Sequence, residues 1–322
     1  MDSITPKKLI SNLFLLIFIV LFINVYTGIF GDDNNRVAVT VITSILMFIG
    51  VDIGYKPKES IFITIFIFIF TCFVTEITRE SNIFITFIIS SIYIFFIMYI
   101  TLQQKIEYKS YLPFMLLYVF LDAYPVEDSY LPRIFSCIVG GILVTFVMYI
   151  TTKKMNTQSS FSIKDLLKEK VDIHSERFIF SLKMAIGVSI SIIIGRMLNV
   201  EKMTWISVVT LSITQSDFFD SKLRIRQRFI ATLLGISVFL FLFEVLKLGN
   251  YLPIVSLVLG YIYTFLKDYD KKMIFVAIND LISTMPIYST TFSIITRLIL
   301  FGLGIIVAYF VSKVVEKKYK IN

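Results

Sequence analysis

The sequence predicts an all-α, polytopic transmembrane bundle of about twelve spans, and three observations lead there. Hydrophobic residues make up 57% of the 322 and charged residues 17%, whereas soluble domains run at about 45–50% apolar and about 25% charged. Apolar stretches of about 20 residues, enough to cross ~30 Å of hydrocarbon at 1.5 Å per residue, recur along the whole length. Lysine and arginine gather in alternate connections between those stretches, as they do in multi-pass membrane proteins.

The expected spans are 9–30, 37–54, 60–77, 82–102, 111–126, 131–152, 178–198, 203–219, 229–247, 251–266, 273–289 and 292–312. The first is long for a signal-peptide core and lacks a clear small-residue cleavage site, so it reads as a retained span. The fifth, eighth, tenth and eleventh are short or interrupted, with Pro125 and Pro286 breaking the fifth and eleventh. With the N-terminus placed inside, 23 of the 31 basic residues fall on the cytoplasmic side. The outer side receives only Arg36, Arg79, Arg133, Arg196, Lys202, Lys247 and Arg297, while Lys183 lies within a span and can snorkel to the surface. This imbalance puts both termini in the cytoplasm.

The net charge of +8 then reports cytoplasmic loops, not nucleic-acid binding, which would need a groove or stacking platform as well. The cluster Lys222, Arg224, Arg226 and Arg228 is expected to be such a loop, opening onto a helix at Arg228. Cys72 and Cys137 both sit in apolar segments and read as packing residues, not a disulfide framework. Trp205, at an outer helix start, fits the interfacial aromatic belt. Membrane lipid is therefore an expected partner.

An internal repeat is expected from RIFSCIVGGILVTFVMYITTKK (133–154) set above RLILFGLGIIVAYFVSKVVEKK (297–318). At one offset Arg133 meets Arg297, Gly140 meets Gly304, and both stretches end in Lys-Lys. With small gaps Asp52 meets Asp217 and Pro125 meets Pro286. The chain divides accordingly into a six-helix half (1–154), a linker (155–176) and a second six-helix half (177–322). An even helix count makes the two halves parallel repeats about an axis along the membrane normal. The linker's SIKDLLKEKV has a Ser-x-x-Asp start that fits a short interfacial helix, and its His174 reads as a solvated loop residue.

Catalytic signatures are missing. There is no Walker-A loop, no G-x-S-x-G, and a single histidine rules out H-E-x-x-H. No enzyme, cofactor or metal site is expected. Ionisable residues inside spans do stand out, because a charge near the bilayer centre costs at least ~2.5–3.5 kcal/mol and usually faces the bundle interior or water. Asp122 and Asp280 each lie in the fifth helix of a half, shortly before its proline. They are the proton-coupling candidates. Arg133 and Arg297 open the sixth helices, and with Arg224 and Arg228 they are the candidates to attract an anionic substrate. The bland alternative is that these are structural Asp–Arg ties or snorkelling arginines. Gly140, Gly141, Gly235, Gly302 and Gly304 suggest close helix approach through small residues.

The stretch MTWISVVTLSITQSDFFDSKLRIRQRFIATLLG (203–235) resembles the fusaric-acid-resistance and aromatic-acid-exporter superfamily. Its R-x-x-G-T-x-x-G motif is echoed as Arg228-x-x-Ala231-Thr232-x-x-Gly235, with alanine for the first glycine, and more loosely as Arg133-x-x-Ser136-Cys137-x-x-Gly140. The resemblance implies an inner-membrane exporter of aromatic or other amphipathic organic anions, commonly working with a periplasmic adaptor protein. Many relatives carry a large cytoplasmic domain that this short linker cannot supply. The first half also lacks the glycine motif in its third helix, where KESIFITIF (58–66) stands instead. A passive organic-anion channel and a non-transporting scaffold for an efflux adaptor are the alternatives, and self-association into a homo-oligomer is left open.

Overall fold

The computed structural model describes residues 5–126, 130–155 and 161–319. Residues 156–160 of the expected linker, and Lys320 among the basic residues, lie outside the described residues. The first half holds α1 (Pro6–Phe30), α2 (Asn35–Phe48), α3 (Pro57–Glu80), α4 (Ile83–Thr101), α5 (Leu112–Ala123) and α6 (Leu131–Met155). The short α7 (Ile163–Lys168) follows. The second half holds α8 (Glu176–Leu198), α9 (Thr204–Ile213), α10 (Phe218–Leu240, continued by a π turn), α11 (Leu252–Tyr263), α12 (Tyr269–Ile282) and α13 (Thr290–Tyr319). No strand occurs among the described residues.

Each of the twelve expected stretches is helical, but seven helices are long and apolar enough to cross a membrane: α1, α3, α4, α6, α8, α10 and α13. The other five run 10–14 residues, or ~15–21 Å at 1.5 Å per residue, short of the ~30 Å core. Local chemistry sets many of the ends. Thr5, Asn82, Ser175 and Asp217 cap α1, α4, α8 and α10 by accepting backbone N–H groups with their side chains. Helices α5 and α12 stop at Ala123 and Ile282, ahead of Pro125 and Pro286. Ser162 and Asp165 form a reciprocal capping box on α7, which is fastened to α3 where Ile163 N–H donates to Glu59 Oε2 at 2.6 Å.

One expectation is corrected here. The basic stretch 222–228 is not a loop before a helix; it forms turns of α10, which begins at Phe218 under the Asp217 cap. Long basic side chains can lie along a helix toward the surface, so charge density alone did not mark a break.

Helices pack through small residues. A Cβ on Gly140 would come within 2.5 Å of Val41 Cγ2, so α6 lies tight on α2; one on Gly304 would come within 2.7 Å of Val209 Cγ1, so α13 lies tight on α9. Gly235 holds α10 against Ala277 and the Ile274 carbonyl of α12, with Ala231 and Thr232 buried on the same helix. Gly302 meets nothing within 4 Å and serves no such contact. The halves join mainly where α4 lies along α8, with α5 against α9 and a thin contact of α1 with α11. Phe180, Met184, Val188 and Leu211 from the second half are buried in the same core as α2–α6. Helix α1 contributes little, with Tyr26 its one buried residue among those described.

Candidate functional site

The second half buries charge where α9, α10, α12 and α13 meet. Arg297 lies seven residues into α13, ~10 Å along the helix, and is 1% exposed. Its Nη2 sits 2.7 Å from Asp280 Oδ2, near the end of α12, and the Asp280 side chain keeps 27% exposure. The guanidinium lies over the Trp205 ring of α9, 4.7 Å from its centroid, a favourable cation–π placement. Trp205 is therefore buried under a cation and is no interfacial anchor. Arg297 Nε has no hydrogen-bond partner, and neither have Ser293 Oγ, one turn earlier on α13, and Asn279 Oδ1, beside Asp280. Arg228, also buried, donates to Ser212 Oγ, and its like charge acts on Arg297. One buried guanidinium thus pairs with a partly exposed carboxylate, with its Nε to spare and a second buried guanidinium close enough for its charge to be felt.

The first half is built differently. Arg133 is buried, and its three nitrogens donate to Asn34 Oδ1 (2.8 Å), the Tyr124 carbonyl (3.1 Å) and the Asp33 carbonyl (2.9 Å). Each of its nitrogens is held by a neutral acceptor, and it does not meet Asp122. That carboxylate instead pairs with Arg196 of α8, Nη2 to Oδ1 at 2.5 Å, and accepts from Thr78 Oγ1 at 3.2 Å. The expected fifth-helix to sixth-helix Asp–Arg pair exists only in the second half; in the first, the partner crosses over from the other half. Arg196, read from sequence as an outer-surface charge, is the partner of Asp122 that reading missed. An arginine in the last turn of an apolar helix looks like a snorkelling end, and nothing local reveals a partner 74 positions away.

Lys183 is corrected as well. It is fully buried, 2.5 Å from Glu316 Oε2 at the end of α13, and donates to the Ser216 carbonyl at 2.8 Å. Arg224 stacks on Tyr269 at the start of α12, 3.9 Å from the ring centroid. Burial, aided by the charge of Arg224, pushes nearby Lys109 below the usual lysine range. Both cysteines are buried and free, and His174 is exposed, its Nδ1 3.0 Å from the Tyr319 carbonyl.

Residues 190–311 match the model of a family described as fusaric acid resistance protein-like. Over this segment, which is less than half of the chain, the protein is similar to that family. The match takes in Trp205, Arg228, Asp280 and Arg297, together with Arg196, and leaves Asp122 and Arg133 outside. No curated protein and no solved structure matches the chain. Family and helices together describe a multi-pass membrane protein, and the family points to membrane transport or efflux in general.

Proposed function

We propose that this protein is a secondary transporter of the inner or plasma membrane that exports aromatic or other amphipathic organic anions in a proton-linked cycle, and that it is not an enzyme. The observation that carries the reading is the pairing of a buried Arg297, lying on Trp205, with a partly exposed Asp280. A substrate carboxylate that reaches Arg297 competes with Asp280, and the unpartnered Nε is a donor ready for it. Displacing Asp280 takes away the cation that balances its charge, and in the proposed cycle a proton replaces that cation. Anion binding and proton binding are thereby linked at one pair. The Trp205 face offers an aromatic body a stacking partner, and Arg228 keeps the local charge positive.

The wider plan of the proposal is two parallel six-helix repeats with both termini in the cytoplasm. Its support is threefold. The Arg-x6-Gly stretches recur, Gly140 and Gly304 make the same sixth-on-second helix contact, and Asp52 and Asp217 each accept the backbone N–H two residues on, at 2.6 Å, as the chain enters the third helix. The test is uptake of labelled aromatic carboxylates into inside-out vesicles, with and without an imposed proton gradient. Uptake should depend on the gradient, and Asp280→Asn should abolish that dependence. Uptake indifferent to the gradient in the parent protein would favour a passive channel.

A further inference from the structure

The three helices α5, α8 and α9, one from the first half and two from the second, enclose a small cavity near one end of their seam, and a wider cleft lies off the other end, among the connections flanking α5 and α9 and the starts of α8 and α10. At the end carrying the basic connections, a cleft of about 350 Å³ is lined by Lys105, Lys109 and Tyr111 on one side and Glu176, Gln215 and Asp220 on the other. At the opposite end, Val119 and Asp122 of α5, Ile192 and Gly195 of α8, and Thr204 and Ser207 at the start of α9 enclose only about 10 Å³, room for about one water at most. Between the two lie side chains that can yield. The Tyr111 and Phe180 rings meet edge-on, 5.5 Å between centroids, and Met115, Met184 and Leu211 fill the core beyond them; unbranched methionine repacks readily. Ser189 Oγ is buried there with no partner, and its spacing of three and seven residues from Ile192 and Arg196 puts it on the same face of α8.

The narrow mouth is where the Asp122–Arg196 bridge sits. Arg196 also donates to the Thr78 carbonyl at 2.7 Å and to Thr86 Oγ1 at 3.3 Å. One guanidinium thus ties α8 of the second half to α3, α4 and α5 of the first. We propose that this seam is the route of the transported molecule and that Asp122–Arg196 is the gate closing its outer mouth, so that the structure is the state open toward the basic, cytoplasmic end. This rests on the transport reading above. Helix α9 connects gate and coupling pair: its Trp205 lies on Arg297 and its Thr204 and Ser207 line the mouth. A shift of this ten-residue helix alters both at once.

Labelling of an introduced cysteine tests the gate without any substrate, so its outcome stands apart from whether organic anions are carried. The native cysteines are buried and give a low background. Ser207→Cys, in right-side-out vesicles treated with a membrane-impermeant maleimide, should be protected. Adding Asp122→Asn or Arg196→Gln should speed its labelling at least about tenfold, the least that loss of a buried ion pair implies. The exchanged pair Asp122→Arg with Arg196→Asp should restore protection. Gln215→Cys at the wide end should label from the opposite face in every background, reporting an intact fold. If the charge variants do not accumulate, Thr78→Val, which removes the hydroxyl that donates to Asp122, should speed Ser207→Cys labelling in their place. Labelling of Ser207→Cys that is the same with and without these substitutions overturns the proposal.

Discussion

Arg133 and Arg297 hold the same place in two similar stretches of sequence, yet one has every nitrogen held by a neutral oxygen and the other keeps a bare Nε beside a carboxylate. Residue identity is the same; the difference lies in what the neighbouring helices present. A guanidinium held at every nitrogen is a brace, whereas one with a bare nitrogen can take a further acceptor. Asp52, in the connection between α2 and α3, offers a test at this scale. It accepts from Gly54 N–H and from Gln104 Nε2, but burial dominates and raises its carboxyl above the usual range. A raised folded-state value means the folded chain holds the proton more tightly than the unfolded one, so stability is lost as pH rises through that value. Asp52→Asn should therefore raise the melting temperature relative to the parent near pH 8, and the gain should shrink as pH falls through the acid range. A gain that is constant with pH would contradict the burial argument. Sequence reading singled out Asp280 because a charge deep in an apolar stretch stands out, Arg297 because it opens the last span, and Arg228 because it closes the basic cluster. It missed Arg196 and misplaced Trp205 because residues near helix ends look interfacial until the partner helix is known.

Helices were legible as apolar runs, and their ends as caps and prolines, while their partners were not. The glycines show why. Gly140, Gly235, Gly302 and Gly304 look alike in sequence, but three of them meet another helix and Gly302 meets open space. At Gly304 a methyl would stand 2.9 Å from the Ile206 carbonyl, which cannot move aside alone. Gly304→Ala should lower stability by about 1–3 kcal/mol through overpacking, whereas Gly302→Ala should be neutral or gain up to ~1 kcal/mol from helix propensity. Thermal unfolding in detergent would separate them, and equal behaviour would show that α13 does not bear on α9 through Gly304. The start of α10 was misjudged because Lys222 to Arg228 read as a solvated connection. Capping by Asp217 and stacking of Lys222 and Arg224 on Phe218 and Tyr269 let the same residues form a helix.

Taken whole, helices α1–α6 and α8–α13 bury charge in different ways. The first set ties it to neutral groups and to Arg196 of the second; the second pairs Arg297 with Asp280. The two sets are joined mainly along α4 and α8 and thinly between α1 and α11. Composition made the membrane class plain, but the joining of the halves depends on contacts between residues far apart in sequence. The measurement that bears most directly on this account is proton movement in proteoliposomes loaded with a pH-sensitive dye, recorded as an aromatic carboxylate is added to one side. The parent protein should show a lumenal pH change that accompanies anion entry, and Asp280→Asn should show none. Anion entry with no proton movement in the parent protein, or proton movement unchanged in Asp280→Asn, would contradict it.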